Sequence, residues 1–447
     1  MNRELMKSVF LFFLVGLSVF LTWNIWTYSP DLKPIDEKKY IQDEITVNEK
    51  QVMKNVIKPH QIIYHTNDGQ YGSYSDEEIT SVLNEMAGWT FYDYKNATNR
   101  QAGDGFNAFL HQDGMTVLSF ADDVPFALYR QMIQIEEKEI PEENIGFDRI
   151  LIETGRNEGN ELKVYFASTE SRQVYEFKAN GDNVADFAES MTSYASELPG
   201  YEVIEVAEDR HIYLPSDEAV INQYKYLPEM LDRTDFRDAL FSDQASVKRE
   251  TVAGGEEFTD GSSIMKVMNE TMTLQYVDPS KTKGNPVSAH TEAEILEKSI
   301  DFVNEHAGWN DNYRFVQLSG NSQKSTVRYR LYVQGLPVFN DQGMAEVIQD
   351  WEKQELTRYA RPFFKLNKYL PQETSPVTLY SGQEALAEIK AMEGFDPDYL
   401  QGMTIGYSLN KLDSRLVSLM PAWFYKYKDE WLPLIPAETG RDANGLE

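Results

Sequence analysis

The chain has 447 residues, of which 41% are hydrophobic and 13% aromatic. That is enough apolar material for about two to four packed domains, and it argues against general disorder. Lys and Arg total 42 against 72 Asp and Glu, a formal charge of -30, so nucleic acid is excluded as a partner of the bulk surface. There are 0 cysteines, which excludes disulfides, thiolate catalysis and cysteine-ligated zinc.

The first element is an uncharged run, VFLFFLVGLSVFLTWNIW, at residues 9–26. As a helix it spans about 27 Å, close to the thickness of a bilayer's hydrocarbon core. Trp23, Trp26 and Tyr28 cluster at its far end, where amphipathic rings favour the membrane interface, and Ser29-Pro30 stops it. The run is longer than a signal-peptide core, and Trp23 to Trp26 offer no small-residue cleavage site, so the spacing predicts an uncleaved anchor. Arg3 and Lys7 precede it, and Lys33, Lys38 and Lys39 follow. The nearest flanks favour a cytoplasmic N-terminus, a single pass and an extracytoplasmic bulk. Val15, Ser18, Thr22 and Ile25 share one stripe of the helix. Ser18 and Thr22 are small hydroxyl residues at i, i+4, which suits a helix–helix contact in lipid or a bond back to their own backbone.

A charged juxtamembrane linker leads to a first strand expected near residues 57–65. SDEEITSVLNEMAGW reads as an amphipathic helix capped by Ser75, with Glu78 completing a capping box. MTVLSFA, RILIET, LKVYFAS and QVYEFKA read as strands, and VADFAESMTSYASEL as a helix ending at Pro199-Gly200. In the second half, residues 258–279 echo 339–362: each runs strand, glycine turn, strand, charged turn, and a strand closing on Tyr and Pro. Helices such as EAEILEKSIDFVNEHAGW precede these meanders, and a third unit begins at QEALAEIKAMEGF. Ala87-Gly88-Trp89 and Ala307-Gly308-Trp309 each close a helix, with Gly as the stop and Trp in the core. The pattern predicts an α+β chain: a transmembrane helix, then several extracytoplasmic domains of helices packed on antiparallel sheets, with helix-plus-meander units in series in the second half. The expected divisions are 1–28 (cytoplasmic tip and transmembrane helix), 29–50 (linker), 51–205, 206–289 and 290–447 (three α+β domains).

No catalytic motif emerges. Of the six histidines, only His60 and His65 are close, and a spacing of five does not put them on one helix face. Ser263 to Lys266 matches SxxK, but the other motifs of that class are missing and the segment reads as a strand. Asp122-Asp123 could serve acid/base chemistry, yet with 72 acidic residues such a pair arises by chance. No metal site, cofactor or catalytic residue is assigned. Trp423, Phe424, Tyr425, Tyr427 and Trp431 form a dense aromatic group, read either as sheet core or as an exposed surface for a partner.

The opening MKSVFLFFLVGLSVFLTWNIWTYSP, the IKPHQIIYH strand and the DGSSIMKV…LQYVDP segment resemble the YycH family. The C-terminal meander also looks like the outer domain of YycI. The resemblance implies a membrane-anchored accessory protein of low-GC Gram-positive bacteria. It would associate with the YycG (WalK) sensor histidine kinase and with YycI, partly through its transmembrane helix, and would tune a two-component system controlling cell-wall metabolism without enzymatic activity. A membrane-anchored envelope hydrolase and a wall- or peptide-binding module stand as alternatives.

Overall fold

The computed structural model describes residues 49–435 except 101–104, 137–144, 156–159, 208–209, 284–290, 322 and 413–414, together with 11, 12, 14 and 16–18. Residues 45–447 form one compact unit. Residues 1–44 are a separate unit, in which 11, 12, 14 and 16–18 are helical and exposed.

The first half alternates apolar runs with turn residues and yields strands β1 (Gln61–Thr66), β2 (Gly69–Ser73), β3 (Thr90–Asn96), β4 (Met115–Pro125) and β5 (Gln134–Ile135). Then come β6 (Gly146–Glu153), β7 (Glu161–Ser168), β8 (Gln173–Asn180), β9 (Gly200–Ala207) and β10 (Arg210–Pro215). Among the described residues they make one ten-stranded sheet in the order β10-β9-β2-β1-β4-β6-β7-β8-β3-β5. Successive side chains of a strand point to opposite faces. One cross-strand row, Ile62, Leu118, Ile150 and Phe166, therefore enters the main core. The adjacent row, Ile63, Val117, Leu151 and Tyr165, enters a second, smaller core on the other face. Burying each such side chain contributes about 1.5–3 kcal/mol. Both faces are covered, which explains the continuous apolar runs of β4 and β6.

The helix Asp76–Ala87 starts where expected. Ser75 Oγ accepts the Glu78 N–H at 3.4 Å, but the Glu78 carboxylate accepts from Tyr64 Oη at 2.5 Å, so only half of the anticipated capping box forms. Complete boxes form at Thr291 and Glu294, at the start of Glu292–Glu305, and at Ser381 and Glu384, at the start of Gly382–Lys390. Trp89 and Trp309 are buried, as read; Gly88 caps its helix with a right-handed φ of -83°, and the second helix is ended by the left-handed Ala307 (φ +74°), with Gly308 (φ +69°) following it.

Among the described residues the second half forms a fifteen-stranded sheet, from Ala219–Met230 to Glu430–Pro433. The echo is real in local structure but not in packing. Its final strands, Thr273–Val277 and Glu355–Pro362, pair antiparallel with Tyr276 opposite Tyr359. The units thus share one sheet instead of packing in series, because each meander's open edge is satisfied by the other's. Among the described residues two pairings are parallel: β3 with β5, and Leu336–Phe339 with Leu400–Lys411. The sheets are therefore mixed, not wholly antiparallel as expected.

Polar contacts tie the two sheets together. Arg314, fully buried, donates to Pro59 O at 3.1 Å and pairs with Asp76, which also receives Lys58. Burial pushes the Lys58 ammonium below its ordinary pKa. At Gly335 (φ +79°) the backbone passes so close to Tyr74 that a Cβ would lie 2.0 Å from its carbonyl oxygen.

Candidate functional site

A cleft of about 1530 Å³ lies between the sheets and is lined by both. Its first wall grows out of the strand register. His60 precedes β1 and donates its backbone N–H to Ser119 O at 2.9 Å, while Ser119 on β4 stands opposite Arg149 on β6. Arg149 donates to Asp148 Oδ2 at 2.8 Å, and Asp148 is itself held by Thr169 N (2.8 Å) and Oγ1 (2.6 Å). The guanidinium is thereby fixed in direction, as a second shell of hydrogen bonds fixes a metal ligand.

Beside this row, β1, β10 and the end of the helix Gly105–Leu110 bring together three histidines and a tyrosine. His65 Nε2 lies 3.1 Å and His111 Nδ1 2.9 Å from Tyr213 Oη. The His111 and His211 rings are 5.2 Å apart. One phenol proton serves two imidazoles, so at least one imidazole N–H points at the phenol oxygen. Burial pushes His60 down to about 3, helped by the charges of Arg149 and Arg314. It pushes His111 to about 3, helped by His65, His211 and Arg149, and His65 to about 4 against the pull of Asp113. These three imidazoles are neutral at pH 7. Burial also raises the Tyr213 phenol above its ordinary range.

Asp122 and Asp123 occupy an irregularity of β4, where the register shifts between Ser119 and Val124. Such bulges re-aim side chains. Asp122 Oδ2 accepts the Leu318 N–H from the second half at 2.8 Å, and Asp123 Oδ2 accepts from Ser168 Oγ at 2.9 Å. Burial raises Asp122 to about 6; burial and then the charge of Asp148 raise Asp123 to about 7. On the opposite wall Glu346 pairs with Arg328 and Arg330, and Arg330 lies over Phe339 at 4.3 Å. The wall that carries the histidines therefore offers neutral imidazoles, a hydroxyl and a guanidinium, whereas the bulge offers two carboxyls whose pKa values burial raises.

Of the residues expected to act from sequence, Val15, Thr22, Trp23, Ile25, Trp26 and Tyr28 lie outside the described residues, and Ser18 is helical and exposed. Among the described residues no helix is long and apolar enough to cross a membrane. His60 and His65 do not act as a pair. His65 joins His111 and His211, which lie far along the chain, so no local spacing could have revealed the group. Among the described residues no group of three His, Cys, Asp or Glu is placed to hold a metal. Ser263 is buried in a turn, its N–H and Oγ bonded to Asp260 Oδ1 at 2.8 and 3.1 Å, while Lys266 pairs with Glu257, so SxxK is only a strand start. Trp423, Phe424 and Tyr425 are sheet core, Trp423 Nε1 donating to Tyr380 O at 3.0 Å; Tyr427 and Trp431 are half-buried.

The YycH protein N-terminal domain family matches residues 4–196, and the YycH protein C-terminal domain family matches 209–439. A Bacillus subtilis (strain 168) protein named two-component system WalR/WalK regulatory protein YycH is 21% identical over 452 residues, covering 97% of each chain. The crystal structure of YycH from Bacillus subtilis superposes with a TM-score of 0.74 at 18% identity, over 87% of this chain and 98% of that one. That superposition carries the fold.

Proposed function

The chain belongs to the YycH family, and we propose that it is a non-enzymatic regulator that associates in the membrane with a sensor histidine kinase of the WalK (YycG) type. A YycI-like protein is its companion, and the complex tunes a two-component system governing cell-wall metabolism. The observation that carries this reading is the family match through both halves, together with a nearly full-length relative named for WalR/WalK regulation. In this reading residues 9–26 anchor the chain with its N-terminus in the cytoplasm and its bulk outside. Trp23, Trp26 and Tyr28 rest at the outer interface, and Val15, Ser18, Thr22 and Ile25 face the kinase helices.

A regulator of this kind needs no chemistry of its own. It shifts the kinase only by binding one of its states better than another, and a tenfold shift takes about 1.4 kcal/mol of differential affinity. Confinement of both helices to one membrane raises their effective concentration. The test is kinase autophosphorylation in proteoliposomes, with and without the full-length chain and its Ser18→Leu/Thr22→Leu variant. The native chain changes the rate, and the variant does so less while its bulk stays folded. A rate indifferent to the native chain contradicts the reading.

A further inference from the structure

One wall of the cleft is a face of the second sheet. Phe424 and Lys426 lie two apart on the strand Val417–Tyr427, and Lys426 stands opposite Trp431 on Glu430–Pro433, so the three side chains share a face. With Phe339 they line the cleft. The Phe339 ring stacks on Phe424 at 4.0 Å and meets the Trp431 indole at 5.3 Å. Gly402 stands opposite Lys426 on the next strand, and a Cβ there would lie 3.8 Å from the indole, so the ring rests over the sheet at a residue without a side chain. Phe339 and Phe424 are buried, whereas Trp431 is half-buried and is the part of this platform open to the cleft.

The molecule already lays one guanidinium on these rings: Arg330 lies 4.3 Å from the Phe339 centroid and 6.0 Å from that of Trp431. Aromatic faces attract cations in this way. The surroundings are acidic. Asp341 follows Phe339 by two residues, and Asp429 and Glu430 directly precede Trp431, so chain connectivity puts three carboxylates beside the platform. All three are exposed and line the cleft, and none forms an ion pair among the described residues; Asp429 accepts from Gln401 Nε2 at 2.6 Å. Over the whole cleft eight Asp or Glu and six Lys or Arg line the walls. Arg149 pairs with Asp148, and Arg328 and Arg330 pair with Glu346. With those set aside, six carboxylates face Arg172, Arg210 and Lys426. Arg172 packs over Phe106, Arg210 donates to Asp398 O and Leu400 O, and the Lys426 charge acts on Asp122.

We propose that the Trp431 end of the cleft docks an extended, basic segment of a protein partner, with an arginine or lysine side chain laid against the indole and met by Asp341, Asp429 and Glu430. Charge complementarity selects the occupant: the excess of carboxylates in the cleft and the formal charge of -30 on the chain draw a basic segment in and repel an acidic one. Size selects a polypeptide over a small free cation, since the cleft exceeds the roughly 300–1,000 Å³ of a small-molecule pocket. Leu432 and Pro433 continue the wall beyond Trp431 and offer apolar surface to the neighbouring side chains of such a segment. A tryptophan in this setting is the kind of residue on which binding energy concentrates. The site stands on its own geometry and does not depend on the partner's being a kinase or on the contacts of residues 9–26.

The experiment is fluorescence anisotropy of a labelled peptide of about ten residues, arginine alternating with threonine and valine, titrated with the detergent-solubilised full-length chain. The same peptide with glutamate for arginine is the comparison. Three variants are used: Trp431→Ala, Asp341→Asn/Glu430→Gln, and Glu189→Gln/Glu388→Gln, the last removing two exposed carboxylates outside the cleft for the same change in net charge. We expect saturable binding of the basic peptide, weaker at about 300 mM than at about 50 mM salt, and no binding of the acidic one. Trp431→Ala and Asp341→Asn/Glu430→Gln each weaken it roughly tenfold, and Glu189→Gln/Glu388→Gln less than about twofold. The Asp341/Glu430 pair is exposed, so its variant keeps the test valid if Trp431→Ala fails to fold. Equal weakening by the two carboxylate variants marks diffuse attraction to an acidic surface and overturns the proposal. So does displacement by spermine as readily as by unlabelled peptide, which marks a small-cation site, and so does the absence of saturable binding.

Discussion

Two buried polar clusters, one on each sheet, have opposite characters. In the second sheet Arg361 is 1% exposed and surrounded by acceptors: Gly308 O at 2.7 Å, Tyr359 Oη at 2.9 Å and Asn310 Oδ1 at 2.6 Å, with the Phe236 ring 5.1 Å away. Its partners are oxygens the fold already supplies, so the cluster is complete in itself and holds the sheet to the helix Glu292–Glu305. In the first sheet His60, His111, Ser119 and His211 each bury one polar atom without a partner, although other parts of these residues line the cleft. A satisfied buried network makes a core specific; an unsatisfied one costs stability and persists where something else uses it.

The largest expected effect comes from breaking the complete cluster. Arg361→Ala leaves Asn310 and two other acceptors unpaired and opens a cavity, so it lowers unfolding stability by about 3–4 kcal/mol in urea titration. Gly335→Ala comes next, at about 2–3 kcal/mol, because alanine must hold a left-handed φ and its Cβ meets Tyr74. It also loosens the joint that shapes the cleft, so thermal scans of this variant separate into two transitions.

A pair of serines sharpens the contrast. Ser299 Oγ bonds Tyr329 Oη at 2.7 Å within the core, and Ser299→Ala costs about 1–2 kcal/mol. Ser119→Ala removes a hydroxyl that bonds nothing, and unfolding midpoints change by less than about 0.5 kcal/mol in either direction.

The two ends of the cleft also respond oppositely to pH. Asp122 has its folded pKa raised from 3.8 to about 6, so the folded state holds the extra proton; its contribution is full below 3.8 and lost as pH rises through 6. His60 and His111 have folded values of about 3 against 6.5, so the unfolded chain holds the extra protons. Their contribution is full above 6.5 and lost as pH falls toward 3. Asp122→Asn therefore stabilises the chain by about 1–2 kcal/mol at about pH 8 and by almost nothing at about pH 4, read from urea midpoints at the two pH values.

Much of the local structure was legible. Ser75 at the head of SDEEITSVLNEMAGW and the periodicity of MTVLSFA and LKVYFAS are signals contained within about ten residues, and the elements follow them. The strand order was not legible. Nothing within the 258–279 and 339–362 segments shows that their last strands would pair with each other, since that pairing joins residues some eighty positions apart. The cleft was hidden for the same reason. His65, His111 and His211 meet only after β1 pairs with β4 and β9 with β10, and Asp122-Asp123 looked like a chance pair until Leu318 and the β4 irregularity buried it. The aromatic group at 423–431 was open to two readings, and only the sheet register puts Trp423, Phe424 and Tyr425 inside.

The most direct test of the regulatory account is cross-linking in intact membranes, followed by recovery of the full-length chain and identification of its partners by mass spectrometry. A parallel sample has a foreign spanning helix in place of residues 9–26. The account predicts that a WalK-type histidine kinase is recovered with the native helix and lost with the foreign one. Absence of any kinase from both samples contradicts it.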